Sequence, residues 1–369
     1  MTWSLLLFCL FAAAALIQIL YYLVYFNRVA SYQPPLNIHS QTHPVSVIIC
    51  SRDEAENLER NLPSVLQQEY PTTHEVIVVN DNSIDDTRFV LEGLGKEFKK
   101  LQVIALEQEA KLIAGKKFPL SIGIKECKHE VVLLTDADCK PASEKWVAIM
   151  QAAFKPGIEV VLGYGPYYKE PGVLNKLIRW ETFHTALQYF GFALAGTPYM
   201  GVGRNLSYRK ELFFRNKGFS AINNLPSGDD DLFVNKVANK SNTAVVLDPD
   251  AFTFSAPKQT WKDWMRQKAR HYSTGKYYKR SHKFLLGLYA ASLALFYPLF
   301  IASVIFFDWR WSLIPFFIRL IIQGTVLKKA MQKLQEQDLW PWFLFFDIWM
   351  FGYYFIFAPT LWRKPRNRW

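Results

Sequence analysis

The sequence predicts an α/β fold, a Rossmann-related sheet that is mixed but mostly parallel, with helices on both faces and membrane-spanning helices at both ends. Three observations predict it. Short β-branched apolar runs alternate with segments of helical spacing between residues 45 and 141. Polar and acidic residues recur where those runs end. Uncharged stretches long enough to cross a bilayer stand near both ends of the chain.

Trp3 to Phe26 carries no charge, and at about 1.5 Å per residue it spans the hydrocarbon core. No Lys or Arg precedes it and Arg28 follows it, so it reads as an anchor (residues 1–28) with its C-terminal flank in the cytosol rather than as a cleaved signal. A polar, proline-bearing linker follows over residues 29–44. Val45 to Cys50 then has the continuous apolar character of a strand buried on both faces. Leu58, Leu62, Val65 and Leu66 mark a helix over Glu54 to Gln68. Glu75 to Val79, Val103 to Ala105 and Glu130 to Leu134 are the next strands, separated by helices over Asp85 to Phe98 and Leu120 to Glu126. Ligands of such sheets sit beyond the carboxyl ends of the strands.

Towards the C-terminus, Phe284 to Phe307 is a second uncharged span. Trp311 to Leu327 and Trp340 to Trp362 each contain one charge, Arg319 and Asp347. Intramembrane charges tend to pair, so these two are expected to meet across neighbouring helices. Residues 284–369 therefore hold two to three spans. Their topology carries a conflict: three C-terminal crossings put the end outside, whereas Arg363, Lys364, Arg366 and Arg368, with Lys328, Lys329 and Lys333, favour the inside. Either the short Trp311 to Leu327 segment is re-entrant or interfacial, or the tail tolerates the wrong side.

The net charge of +11 is concentrated over residues 258–283, where nine Lys and Arg face a lone Asp263 among Trp261, Trp264, Tyr272, Tyr277 and Tyr278. A basic, aromatic stretch running into a hydrophobic span reads as an interfacial segment on anionic lipid; no nucleic-acid module accompanies it. Cys9, Cys50, Cys127 and Cys139 form no disulfide or metal spacing.

The chemistry lies at the strand ends. Asp136 and Asp138 follow an apolar strand directly, and two carboxylates one residue apart suit Mg²⁺ or Mn²⁺ together with phosphate oxygens; a solvated turn is the plain alternative. Asn80 to Thr87 is both a turn with a helix cap, at Ser83 or Asp85, and a place from which Asp81 points into the crevice. Asp229, Asp230 and Asp231 form an acidic run that caps a helix or supplies a base.

Together, Val45 to Leu62, Val76 to Thr87, Gly115 to Gly123, Leu133 to Pro141, Gly203 to Lys210, Gly228 to Asp231 and Gln267 to His271 resemble a membrane-anchored family 2 glycosyltransferase with a GT-A fold. The resemblance covers roughly Val45 to Gly275, with a transferase domain over residues 45–257. It implies that Ser51, Glu54 and Asp81 hold the nucleoside, that Lys116 approaches the donor, and that Asp136 and Asp138 carry the divalent metal beside the donor. It further implies that Asp230 is the general base and that Gln267 and Arg270 steady the diphosphate. Two positions depart from the family's pattern: Asn80 stands where an Asp is usual and His271 where a Trp is. The implied partners are a UDP- or GDP-linked sugar, a saccharide or lipid-linked acceptor and membrane lipids, without nucleic acid, at the cytoplasmic face of the cell membrane. A polyprenyl-phosphate sugar transferase and a non-catalytic membrane scaffold or sugar-nucleotide sensor of the same fold are the rivals. Leu174 to Leu194, rich in aromatic residues, is either a bilayer-facing or a core helix, with His184 packed within it rather than ligating a metal.

Overall fold

A computed structural model describes residues 3–34, 43–107, 113 and 115–361. The chain enters through α1 (Trp3–Tyr21), which passes through a π-turn at Tyr22–Phe26 into α2 (Asn27–Ala30). Half of the expected linker, residues 35–42, and the basic tail from Arg363 onward lie outside the described residues. The first half of the globular part alternates as expected: β1 (Val45–Ser51), α3 (Ala55–Leu66), β2 (His74–Asp81), α4 (Thr87–Glu97), β3 (Leu101–Leu106), α5 (Lys117–Glu126) and β4 (Val131–Asp136). Then come β5 (Cys139–Pro141), α6 (Trp146–Ala152), β6 (Val160–Leu162), α7 (Val173–Leu194), β7 (Leu206–Arg209), α8 (Lys210–Arg215), α9 (Asp231–Val237), β8 (Thr243–Val245) and β9 (Thr253–Ser255). The C-terminal part is helical: α10 (Trp261–Tyr272), α11 (Arg280–Phe306), α12 (Trp309–Lys333) and α13 (Phe343–Phe357).

Seven strands form one sheet in the order β3-β2-β1-β4-β7-β6-β8. β3, β2, β1 and β4 are parallel, β7 is antiparallel to both its neighbours, and β6 pairs parallel with β8. Alternate residues of the central strands feed two cores. Val45, Val47, Ile49, Val76, Val78, Val131 and Leu133 pack beneath α3, α4 and α6, while Ile48, Ile77, Val79, Val132 and Leu134 face α5 and α7. Burial on both faces is why these strands read as unbroken apolar runs rather than alternating ones.

α7 is a core helix, not a bilayer-facing one: most of its side chains, including Trp180, Phe183, Leu187 and Phe190, are buried. His184 stacks with Tyr289 and lies 3.1 Å from its hydroxyl, and burial pushes its imidazole down to about 4, so it is a neutral packed side chain.

Among the described residues, four segments are long and apolar enough to cross a membrane: Trp3–Ala30, Arg280–Phe306, Trp309–Lys333 and Gln337–Leu361. The outer ends of the first three pair with one another. Trp3 meets Phe306, Phe8 stacks on Phe307, and the hydroxyls of Ser303 and Ser312 lie 2.6 Å apart. Their middle holds the expected ion pair. Arg319 bonds Asp347 through two nitrogens, one at 2.8 Å, and also donates to Gln18 Oε1 at 2.9 Å; Gln323 and Tyr297 donate to Asp347 as well. One polar knot thus ties α1, α11, α12 and α13.

α13 keeps different company. Phe346 stacks on Trp180 of α7 at 4.7 Å, and Gln188, two turns further along α7, donates to the Tyr354 hydroxyl. Trp349 faces Trp264 of α10, and Phe357 stacks on Tyr272. The connection before α13 is clamped to α7 by Arg179, which donates to Glu336 and Asp338. The helix therefore runs alongside α7 and α10, with Leu344, Phe345, Ile348, Phe355 and Ile356 exposed on its other side.

Candidate active site

A cavity of about 2260 Å³ opens at the carboxyl end of the parallel strands and reaches down to α11 and α13. It collects most of the candidate residues from separate parts of the chain. Glu54, Lys116, Asp136, Asp138, Asp230, Gln267 and Arg270 all line it. Ser51 and Asp81 do not. Ser51 is buried, with its hydroxyl directed at the Val79 carbonyl, and Asp81 is buried at the end of β2 where Asn82 donates to it at 3.2 Å.

The loops bearing the first two strand ends are clasped together. Asp53 adopts a left-handed φ of 54°; its carboxylate accepts from the Ile84 N–H at 2.8 Å, and its own N–H donates to Ser83. The N–H groups of Glu54 and Ala55 donate to Thr87 and Asp85 at 3.0 Å each. Ser83, Asp85 and Thr87 therefore spend their oxygens on holding the Arg52–Glu54 loop at the cavity edge, and Asp85 in addition accepts from the Thr87 N–H at the start of α4.

Lys116 is the electrostatic hub. Its ammonium lies 2.8 Å from Asp136 Oδ1 and 3.4 Å from Asp229 Oδ2. Burial works against that charge, but Asp136, Asp229 and Asp230 outweigh it and hold Lys116 well above the ordinary lysine value. It is not a loose surface lysine. Gly115 positions it: φ is +70°, and a Cβ there would stand 2.5 Å from the Pro226 carbonyl oxygen, so only glycine fits the turn.

Asp136 and Asp138 project from the end of β4. With Cys139 they bring ligand atoms within 4.8 Å of one another. Burial pushes the Cys139 thiol well up, and it donates to Asp138 Oδ1 at 3.4 Å, so the ligand set that remains is two carboxylates. That set fits a hard dication that takes further oxygens from a phosphate. Burial and then the charge of Asp136 raise the Asp138 carboxyl, a repulsion that a cation between the two would relieve.

Asp230 is the N-cap of α9. Its Oδ1 accepts from the Asp231 N–H at 2.7 Å and its Oδ2 from the Gly203 N–H at 2.8 Å. Burial, followed by Asp229, raises its carboxyl above the ordinary value. Asp231 has another job. Leu232 N–H, Thr274 and Tyr278 donate to it, burial pushes it up to about 7, and it joins the acidic loop to the segment after α10. Asp230 thus caps α9 while lining the cavity, and Asp231 ties the loop to the segment after α10.

α10 begins at Thr260, whose hydroxyl accepts from the Asp263 N–H. Gln267 and Arg270, one turn apart, turn towards the cavity. Lys268 does not join the basic surface; it is buried and paired with Glu181 of α7. Sequence reasoning missed that pair, and it missed Arg204, which lines the cavity, stacks over Tyr167 at 4.4 Å and donates to Ser255 at 2.7 Å. Arg204 did lie in a quoted motif; the Lys268–Glu181 pairing had no signal in the sequence.

Comparison with known proteins bears on this arrangement. The pattern described as "Glycosyl transferase family 2" matches residues 46–214, and that described as "Glycosyl transferase family group 2" matches residues 132–359, more than half of the chain. The chain belongs to glycosyltransferase family 2. Poly-beta-1,6-N-acetyl-D-glucosamine synthase of Staphylococcus epidermidis is 35% identical over 103 residues, 27% of this chain and 23% of that protein. Beta-monoglucosyldiacylglycerol synthase of Nostoc sp. is 30% identical over 122 residues, 33% of this chain and 25% of that protein. The chain thus matches about a quarter of the length of these relatives. Among solved structures, the mannosyltransferase PcManGT from Pyrobaculum calidifontis, in complex with GDP-Man and Mn²⁺, shares the fold with a TM-score of 0.60 at 18% identity, covering 94% of this chain and 99% of that one. As a family 2 member with a GT-A fold and apolar end helices, the chain accounts for its sheet order and for the cavity at the strand ends.

Proposed function

We propose that this family 2 member is a membrane-bound, inverting glycosyltransferase that moves a sugar from a UDP- or GDP-linked donor to a hydroxyl of a saccharide or lipid-linked acceptor. One observation carries the reading: Asp136 and Asp138 line a single cavity with Asp230, which is far from them in the chain. Arg204 and Arg270 supply cationic edges for a diphosphate, and guanidinium groups pair with such oxygens through planar donors. Glu54, on the clasped loop, and Asp81 behind it serve the nucleoside side, with Ser51 shaping the strand end beneath. Lys116 holds Asp136 ionised and pairs with Asp229 beside Asp230. A divalent metal held by Asp136 and Asp138 would offset the charge gathering on the leaving diphosphate. Asp230, fixed by two backbone N–H groups, takes the acceptor's proton as the oxygen bonds to the anomeric carbon. The bond to the diphosphate breaks on the opposite side, which inverts the configuration. Purified protein incubated with a panel of nucleotide sugars is expected to release nucleoside diphosphate from one donor class, to stop on addition of EDTA and to resume with Mn²⁺ or Mg²⁺. Release of the same size with and without chelator would remove the metal from this scheme.

We further propose that α13 lies against the membrane-side surface of the catalytic part, with α1, α11 and α12 as the crossing helices. Its contacts along α7 and α10 and its single exposed apolar side support this reading, and the 25-residue length of α12 argues against making α12 the re-entrant one. Three crossings put Arg363, Lys364, Arg366 and Arg368 on the same side as the transferase domain, as positive charge in the cytosol requires. A C-terminal reporter is expected to be active in the cytosol; activity only on the outer side would reject the arrangement.

A further inference from the structure

We infer that the acceptor is a lipid alcohol whose chains lie in the groove between α11 and α13 while its head-group hydroxyl reaches Asp230. This rests on the transferase reading above. The cavity that holds Asp230 does not end at polar walls; it continues along Gly287, Ala290, Ala291 and Ala294 of α11. Spaced by three and four residues, these share one face of the helix. The opposite face is occupied, since Ser292, Leu293 and Phe296 are buried and Gln18 of α1 donates to the Ser292 carbonyl. On the small-residue face there is room: a Cβ at Gly287 would meet nothing within 4 Å, and Gly287 and Ala291 are exposed.

The far wall, at and just after the end of α13, is mostly apolar, with Phe355, Ala358 and Leu361 beside Tyr354 and Thr360. A saccharide chain would find few partners along such walls, whereas a hydrocarbon chain loses only water-facing apolar surface there. A second observation points inward from the other side. Thr182 of α7 is 8% exposed and lines the same cavity, yet its hydroxyl has no hydrogen-bond partner among the described residues. A buried hydroxyl without a partner is costly, and a head-group oxygen would supply one. Gly287 and Ala291 leave this face of α11 open, which gives a lipid chain a way into the groove. In the transfer, the lipid oxygen bonds to the anomeric carbon, its proton passes to Asp230, and the electron pair of the broken bond leaves on the nucleoside diphosphate.

The test uses the full-length protein in nanodiscs, with the donor class found by diphosphate release. Diacylglycerol, phosphatidylglycerol, a polyprenyl phosphate and a soluble oligosaccharide are offered separately, followed by short-chain versions of whichever lipid works. Transfer to a lipid carrying a free hydroxyl is expected, and the two glycerolipid arms tell which head group is used. In Gly287→Leu and Ala291→Leu, the ratio of long-chain to short-chain acceptor turnover is expected to fall at least tenfold. Transfer only to the oligosaccharide, or only to the polyprenyl phosphate, overturns the proposal, and so does an unaltered chain-length ratio in both variants. Absence of diphosphate release from every donor would instead remove the transferase reading itself, a different failure visible before any acceptor is added.

Discussion

Asp230→Asn is expected to cut sugar transfer by about 10²- to 10⁴-fold, the range typical of a lost general base, while donor binding stays close to that of the native protein. The substitution is a fair probe because asparagine is as good an N-cap as aspartate. Its carbonyl oxygen still accepts from one of the two N–H groups now bonded to Asp230, those of Gly203 and Asp231, so α9 keeps its start. What disappears is the negative charge that takes the proton. The pH profile gives an independent check. A base works ionised, and burial with Asp229 nearby raises the Asp230 carboxyl. Native activity should therefore fall, as pH is lowered, through a midpoint above the ordinary carboxylate value of about 4. The residual rate of the variant should lack that limb. A native profile still flat well below the ordinary carboxylate range, or a variant that transfers at the native rate, would reassign the base.

The second large effect lies among the apolar end helices. Arg319→Met leaves Asp347 among apolar helices with its main counter-charge gone, and removing one partner of a buried pair costs about 3–5 kcal/mol. Tyr297 and Gln323 would still donate to Asp347, which softens the loss without neutralising the charge. Gln18 loses the guanidinium that its carbonyl accepts from, so the tie between α1 and α12 also loosens. The double variant Arg319→Met with Asp347→Leu should recover most of the stability, because a well-packed apolar replacement of a buried pair is often neutral. Unfolding of the purified protein in mixed micelles, followed by the intrinsic fluorescence of its 12 tryptophans, reads both. Equal destabilisation of the single and double variants would mean that the pair matters through packing rather than charge.

Much of this protein is legible along the chain because its signals are local. Val45–Ser51, His74–Asp81 and Val131–Asp136 announce themselves as strands through unbroken β-branched runs, since both faces of the sheet are covered. The candidate spans are visible by length and hydropathy, and Arg319 with Asp347 could be paired in advance because a charge among apolar helices needs an opposite one. Asp136, Asp138, Asp230, Gln267 and Arg270 stood out by residue type and position along the chain, and all of them line one cavity.

Other features had no local signal. β6, β7, β8 and β9 are three or four residues long, too short for a period, and they exist because the sheet offers them neighbours. Lys268 looked like one more membrane-surface cation until folding set it against Glu181 across 87 positions. Lys116 became the hub of three carboxylates only when the Asp229 loop folded over it. The sequence alone thus determined the sheet, the spans and the kinds of chemical group at the site, since periodicity, hydropathy and residue type act over a few neighbours. Only the tertiary structure decided which charges are paired, that α13 follows α7 and α10, and that the cavity beside Asp230 continues to the small-residue face of α11. Those outcomes depend on contacts between distant segments, whose energies no stretch of sequence contains by itself.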